Sequence, residues 1–294
     1  MASRTTRRNM LQASGRLVVR SSAALGLLAA ACTTVQRPWR LSRVEEGCGA
    51  PIVVTVSPAL AEGAAAWILE ALPAACARLA RFSLALGETT EIRLHADRRS
   101  FSRATRKRAA WLRAWTGFDV VHLLPPTVWR DDSAAARLER LVHELCHAAF
   151  FQRFGDEERA RRARLPFWFL EGSASAIAGQ APRRMPLALV VERAGDDDPL
   201  RDRGWLARDH HVAYGAAHHA VSFLVARHDE GVIARMLEQA VSDGQPGCAE
   251  RALERVCGLA EGALWPALVA QARAKAGTSM RPSNSTPRAW HTAL

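Results

Sequence analysis

Apolar positions recur along this chain in two rhythms. Up to about residue 126 they come in short β-type runs separated by turn-forming residues. "PIVVTVS" (51–57) reads as a strand, and "TEIRLHA" (90–96) alternates like a second. "FDVVHLLPP" (118–126) reads as a third, stopped by two prolines. Between them, "LAEGAAAWILEAL" and "AACARLARF" read as helix, interrupted or kinked at Pro73, and residues 98–114 as another helix. From residue 133 onward the spacing turns helical. Ser133 to Phe151 contains no Gly or Pro, and Asp131, Asp132 and Ser133 offer N-caps. Further helices are expected over 166–179, 211–228, 230–242, 249–257 and 262–276, with a long loop at 180–208 around "GDDDP". No internal repeat is visible. Strands followed by helices predict an α+β fold: a small N-terminal sheet packed on the 133–151 helix, then a mostly helical C-terminal lobe. Residues 51–276 suit one domain of two lobes, and the Ser/Pro-rich stretch 277–294 reads as a disordered tail.

The 133–151 helix carries "RLVHELCHAAF" (140–150). His143 and His147 lie one turn apart on the same face, so both can aim a ring nitrogen at one ion. Glu144 lies about 100° around the helix from His143, beside the place where water would meet the ion. Such an H-E-x-x-H predicts two histidines holding zinc and a glutamate taking a proton from the water the ion activates. The competing reading is a buried helix with incidental histidines. A third protein ligand decides between them, since two histidines hold zinc poorly.

Downstream, "LPFWFLEGSASAIAGQ" (165–180) starts a helix with Pro in its first turn. Glu171 follows the large apolar residues Phe167, Trp168, Phe169 and Leu170, and burying a carboxylate there is costly unless it is paired or bound to metal. Small residues after it allow close approach of another helix. Glu171 is therefore the expected third ligand. Taken alone, it could instead be a helix-start carboxylate facing the dipole. Cys146 points away from the histidine face and reads as a small core hydrophobe.

With His143, Glu144 and His147 followed by Pro166, Trp168, Glu171, Gly172 and Ala174, the chain resembles the gluzincin metallopeptidases, in the style of the peptidase MA-like bacterial proteins. Two motifs carry the resemblance, and the flanks from about 51 to 276 match in pattern only. A metzincin would need a third His just beyond His147, and Phe151 to Gly155 hold none. The resemblance implies one Zn²⁺ on His143, His147 and Glu171, a cleft between the lobes with the ion at its floor, and hydrolysis of a peptide or protein substrate with Glu144 as general base. It also implies a later-helix donor to the oxyanion. The single tyrosine, Tyr214, is the first choice and His218 the second, with His210, His211 and His219 nearby. A core aromatic is the other reading of Tyr214. Substrates of such enzymes add along an edge strand, here expected at 118–124. Two other readings remain: a non-catalytic zinc-stabilised envelope lipoprotein acting in binding or assembly, and a zinc hydrolase of a non-peptide amide.

Residues 1–31 hold five arginines and no acid before "SSAALGLLAAA", the outline of a signal peptide. "TTRRNMLQ" resembles a twin-arginine signal, and "LLAAAC" a lipoprotein box with Cys32 as the lipidated residue, though Ala29 stands where Leu is usual. Cleavage near Ala31 without lipidation is the alternative. Residues 32–50 are then a tether, and the protein is expected in the cell envelope, anchored to membrane through Cys32. Without the leader, 35 basic residues face 29 acidic ones, so the net charge falls from +11 to +6. The excess sits in 97–113 and after Glu261. It reads as solvated surface and tail, or as contact with anionic lipid or cell wall. No nucleic-acid motif appears. Five further cysteines in an oxidising compartment predict pairing, with Cys248–Cys257 first and Cys48–Cys76 second, leaving a free thiol at Cys146.

Overall fold

The computed structural model describes residues 39–279 apart from Arg130, Asp202, Arg203 and Glu261. The leader, Cys32 and the tail from Met280 lie outside these residues. The architecture is α+β, as the two rhythms imply.

Five strands form the sheet, in the order β1-β2-β3-β5-β4. β1 (Arg40–Gly47) and β2 (Ala50–Val56) make a hairpin. Residues 40–47, expected within the tether, therefore pair into the sheet. The two-residue turn has φ of 52° at Cys48 and 97° at Gly49. Positive φ at both central positions is what a tight hairpin demands. A Cβ on Gly49 would also lie 2.9 Å from the Leu86 carbonyl oxygen. α1 (Ala66–Arg81) crosses over to β3 (Thr90–Leu94), which runs parallel to β2. α1 is one helix with Pro73 inside it rather than two segments, and it starts later than expected, after a turn over residues 62–65. α2 (Arg98–Thr105) is capped by Asp97 and ends where Arg106 adopts the left-handed conformation. The helix expected to reach 114 stops there. Ala114 to Thr116 instead form β4, paired antiparallel with β5 (Val120–Leu123), so ladder hydrogen bonds override local helix preference.

Alternate residues of β2 and β3 are buried. Ile52, Val54, Ile92 and Leu94 share one core with Ile68 and Leu79 of α1 and with Leu141, Leu145 and Phe150 of α3 (Ala134–Gln152). Full burial of each such side chain contributes about 2 kcal/mol. α3 is capped by the Ser133 hydroxyl, which accepts from the Ala136 amide at 3.3 Å. α4 (Glu157–Ala163), which the apolar pattern does not suggest, leads to α5 (Phe167–Ile177). The stretch expected as a loop holds two short helices, α6 (Leu187–Ala194) and α7 (Trp205–Arg208). α8 (His210–Arg227), α9 (Val232–Asp243), α10 (Cys248–Cys257) and α11 (Leu264–Ser279) complete the chain, close to the expected spans. Among the described residues no helix is long and apolar enough to cross a membrane.

The disulfide joins Cys48 to Cys76 and ties the β1–β2 turn to α1. Cys248 and Cys257, the first-choice pair, are free. They sit at opposite ends of α10, and nine residues at 1.5 Å rise put them roughly 13 Å apart, beyond disulfide reach. The Cys248 thiol instead donates to the Ala163 carbonyl at 3.6 Å, and Cys257 meets the Met236 sulfur at 3.8 Å. Cys146 is free and buried, as expected.

Candidate metal centre

Helix periodicity brings His143 and His147 of α3 together, with their Nε2 atoms 3.2 Å apart. Glu171 reaches them from α5. One carboxylate oxygen lies 3.2 Å from His143 Nε2 and the other 3.5 Å from His147 Nε2. Imidazole nitrogens and a carboxylate oxygen are donors zinc accepts, and here both rings and the carboxylate converge on one point. Among the described residues these three form a group able to hold one metal ion, their ligand atoms all within 4.8 Å. Burial would raise the Glu171 carboxyl pKa, but the His147 charge and hydrogen bonds from both rings hold it well below the usual carboxylate range. Burial lowers the His147 pKa, and the facing Glu171 reverses that and raises it. Two imidazoles turned onto one carboxylate make a pocket suited to positive charge. Neither ring's Nδ1 has a hydrogen-bond partner among the described residues, so packing orients the rings. His147 stacks on Phe151 with centroids 6.2 Å apart.

Glu171 is the fifth residue of α5, past the first turn, which removes the helix-start reading. Its position depends on Gly172. A Cβ there would lie 2.2 Å from the Ala217 carbonyl oxygen, so α5 and α8 meet backbone to backbone. Gly215 plays the same part toward α6, where a Cβ would meet Val190 Cγ2 at 2.8 Å. These close approaches set Tyr214 of α8 near Glu171.

Glu144 is 8% exposed, and its Oε2 accepts the Thr116 hydroxyl at 2.7 Å. Thr116 is a positioning residue the motifs do not reveal. Its only trace in the sequence is "AWTGFDVVHL", two β-type runs around a Gly-containing three-residue loop, the mark of a hairpin.

His143, Glu144, His147, Glu171 and Tyr214 all line one cavity of about 570 Å³. Tyr214 lies edge-on to Phe167 with centroids 5.1 Å apart, and the Arg184 guanidinium sits 5.0 Å from its ring. Burial raises the pKa of its hydroxyl, which stays a proton donor. His218, the second choice, does not line the cavity. Its Nδ1 is 3.1 Å from the Ser175 hydroxyl, joining α8 to α5, and burial lowers its pKa to about 4. His219 bonds the Met185 carbonyl at 2.9 Å, whereas His210 and His211 do line the cavity. The expected edge strand needs correction. Residues 120–123 pair on both sides, and among the described residues the free edge beside the site is β4.

No family model matches this chain, and no curated protein does. Solved structures with some likeness include a variant of the M1 zinc metallopeptidase from Deinococcus radiodurans, at 15% identity and TM-score 0.43, covering 85% of this chain and 54% of that one. A two-domain M1 zinc metallopeptidase variant bound to L-arginine gives 14% identity and TM-score 0.39, covering 81% and 51%. The chain thus spans about half the length of either. Neither likeness is close enough to decide function, which rests on this chain's own residues.

Proposed function

We propose that this chain is a zinc-dependent peptidase of the bacterial cell envelope. The observation that carries the reading is the set of three metal-type donors that two helices bring together, with Glu144 lining the same cavity. His143, His147 and Glu171 would hold the ion, leaving a coordination position for water or substrate, as catalytic zinc requires. Bound there, zinc supplies Lewis acidity to a water and to the scissile carbonyl. Glu144 accepts the proton of the attacking water and returns it to the leaving amine nitrogen. Thr116 fixes that carboxylate. Tyr214 donates its hydroxyl hydrogen to the oxygen on which charge develops. The β4 edge offers main-chain groups to an extended peptide. In this reading the mature protein is held at the membrane by lipid on Cys32.

Metal analysis together with a broad peptide library tests the reaction. Wild type should bind one zinc and cleave. Glu144→Gln should keep the zinc and lose cleavage, and Glu171→Ala should lose the zinc. Zinc-loaded wild type that cleaves nothing overturns the peptidase reading. Labelled palmitate should enter wild type and not Cys32→Ser; equal incorporation removes the anchor.

A further inference from the structure

The cavity is basic beyond anything metal binding asks for. Four arginines line it: Arg113, Arg140, Arg183 and Arg184. Arg183 is neutralised by Asp131 at 2.7 Å and Glu139 at 2.6 Å. The other three form no ion pair with a carboxylate among the described residues. Arg113 donates to the Ala110 carbonyl. Arg184 donates to the Ser175 hydroxyl at 2.8 Å and to the Gln180 side chain, both neutral. Arg140 is the sharpest case. It is half-buried one helical turn before Glu144, its guanidinium rests 4.7 Å from the Trp129 ring, and its Nε is buried with no hydrogen-bond partner. Burial lowers its pKa, and Arg113 and Arg183 press it further down, against the pull of Glu144. The two carboxylates lining the cavity are already engaged, Glu171 by the histidines and Glu144 by Thr116.

Holding like charges together with an unfilled donor is unfavourable unless an anion completes the set. A guanidinium fork matches a carboxylate in shape and charge. We propose that the cavity selects substrates bearing a carboxylate, an Asp or Glu side chain or a free chain end, with Arg140 as the residue that recognises it and Arg113 and Arg184 completing a basic wall. The reaction on that substrate rests on the peptidase reading; the binding preference does not.

Three matched peptides test it: one with Glu near its centre and an amidated end, its Gln counterpart with an amidated end, and that Gln peptide with a free carboxyl end. Cleavage by zinc-loaded protein is compared with binding to chelator-treated protein, followed by tryptophan fluorescence. A carboxylate-bearing peptide should be favoured over the amidated Gln peptide by about tenfold or more in both assays. The peptide preferred identifies side chain or chain end. Arg140→Met should bring the ratio near one, Arg140→Lys should keep part of it, and Arg161→Met on exposed α4 should leave it unchanged. Thermal melts confirm that each variant is folded. Equal binding of all three peptides overturns the proposal, even if all are cleaved. Preferential binding without cleavage upholds it and sinks the peptidase reading instead.

Discussion

The Thr116 hydroxyl holds Glu144 Oε2 at 2.7 Å, so a residue of the sheet edge fixes the carboxylate that stands beside His143 and His147 on α3. The sheet and α3 are thereby joined at the point where chemistry is proposed. Thr116→Val keeps the shape and removes the donor. It should lower kcat by about tenfold or more, the worth of a hydrogen bond to a charged group, while zinc content stays at wild-type level. Thr116→Ser should restore most of the rate. Loss of zinc in Thr116→Val would show that the residue supports the ligands rather than Glu144.

At Gly172 even one methyl group has no room, because its Cβ would meet the Ala217 carbonyl oxygen at 2.2 Å. Gly172→Ala should cost about 3 kcal/mol in denaturant unfolding, at the upper end of overpacking effects. It should also weaken zinc affinity by moving Glu171. A stable Gly172→Ala protein with wild-type zinc affinity would contradict the close crossing of α5 and α8.

The Cys48–Cys76 bond closes a loop of sequence separation 28. By loop entropy that is worth about 3.5 kcal/mol. Cys76→Ser should lower the melting temperature by about 10 °C, whereas Cys248→Ser should not respond to reductant differently from wild type. Mass mapping of the oxidised protein should find the 48–76 linkage.

His95 and His122 face each other in the sheet, with Nε2 and Nδ1 2.9 Å apart, 1% and 5% exposed. Burial is the main cause lowering their pKa to about 3 and about 4, against an ordinary 6.5; the facing His122 and then Arg93 lower His95 further, Arg93 lowers His122 further, and Asp97 opposes the shift at His95 and Glu91 at His122. A folded-state pKa below the unfolded one means that the unfolded chain takes up protons first. Stability is then full above about pH 6.5 and drains as pH falls toward 4, by roughly 2 kcal/mol per ring near pH 5. Urea melts at pH 7.5 and pH 5 should show this loss in wild type, together with the share of His218, whose pKa burial also lowers to about 4, and a clearly smaller loss in His122→Phe. An equal loss in both would remove the pair as its source.

Local rules sufficed where a pattern was long or its chemistry narrow. α3 is read from its cap and its uninterrupted run, and His143, His147 and Glu171 converge because helical spacing fixes two of them and the cost of a buried carboxylate marks the third. β4 escaped because three residues carry too little alternation to outweigh a helical neighbourhood, and Thr116 was lost with it. The order of the sheet is a long-range property: nothing near 118–124 tells that another strand will cover it. α6 and α7 hide among Gly, Pro and Asp. The cysteine pairing turned on spatial distance, which sequence proximity misrepresents along a helix. Arg140 stood inside the most informative stretch of the chain, but an arginine acquires meaning only from what surrounds its guanidinium.

The short outer strand has a bearing on solubility. β4 is three residues long, its outward Trp115 is covered by the Lys107 ammonium 4.0 Å from the ring centroid, and among the described residues its far side is unpaired. An open strand edge is a place where two copies can zip together. Three residues give too few ladder bonds for that, and a cation over the tryptophan repels a second copy. An extended peptide meets the same edge with the cavity behind it to add contacts. Brevity at the rim thus lets one edge discriminate between a guest chain and another molecule of its own kind.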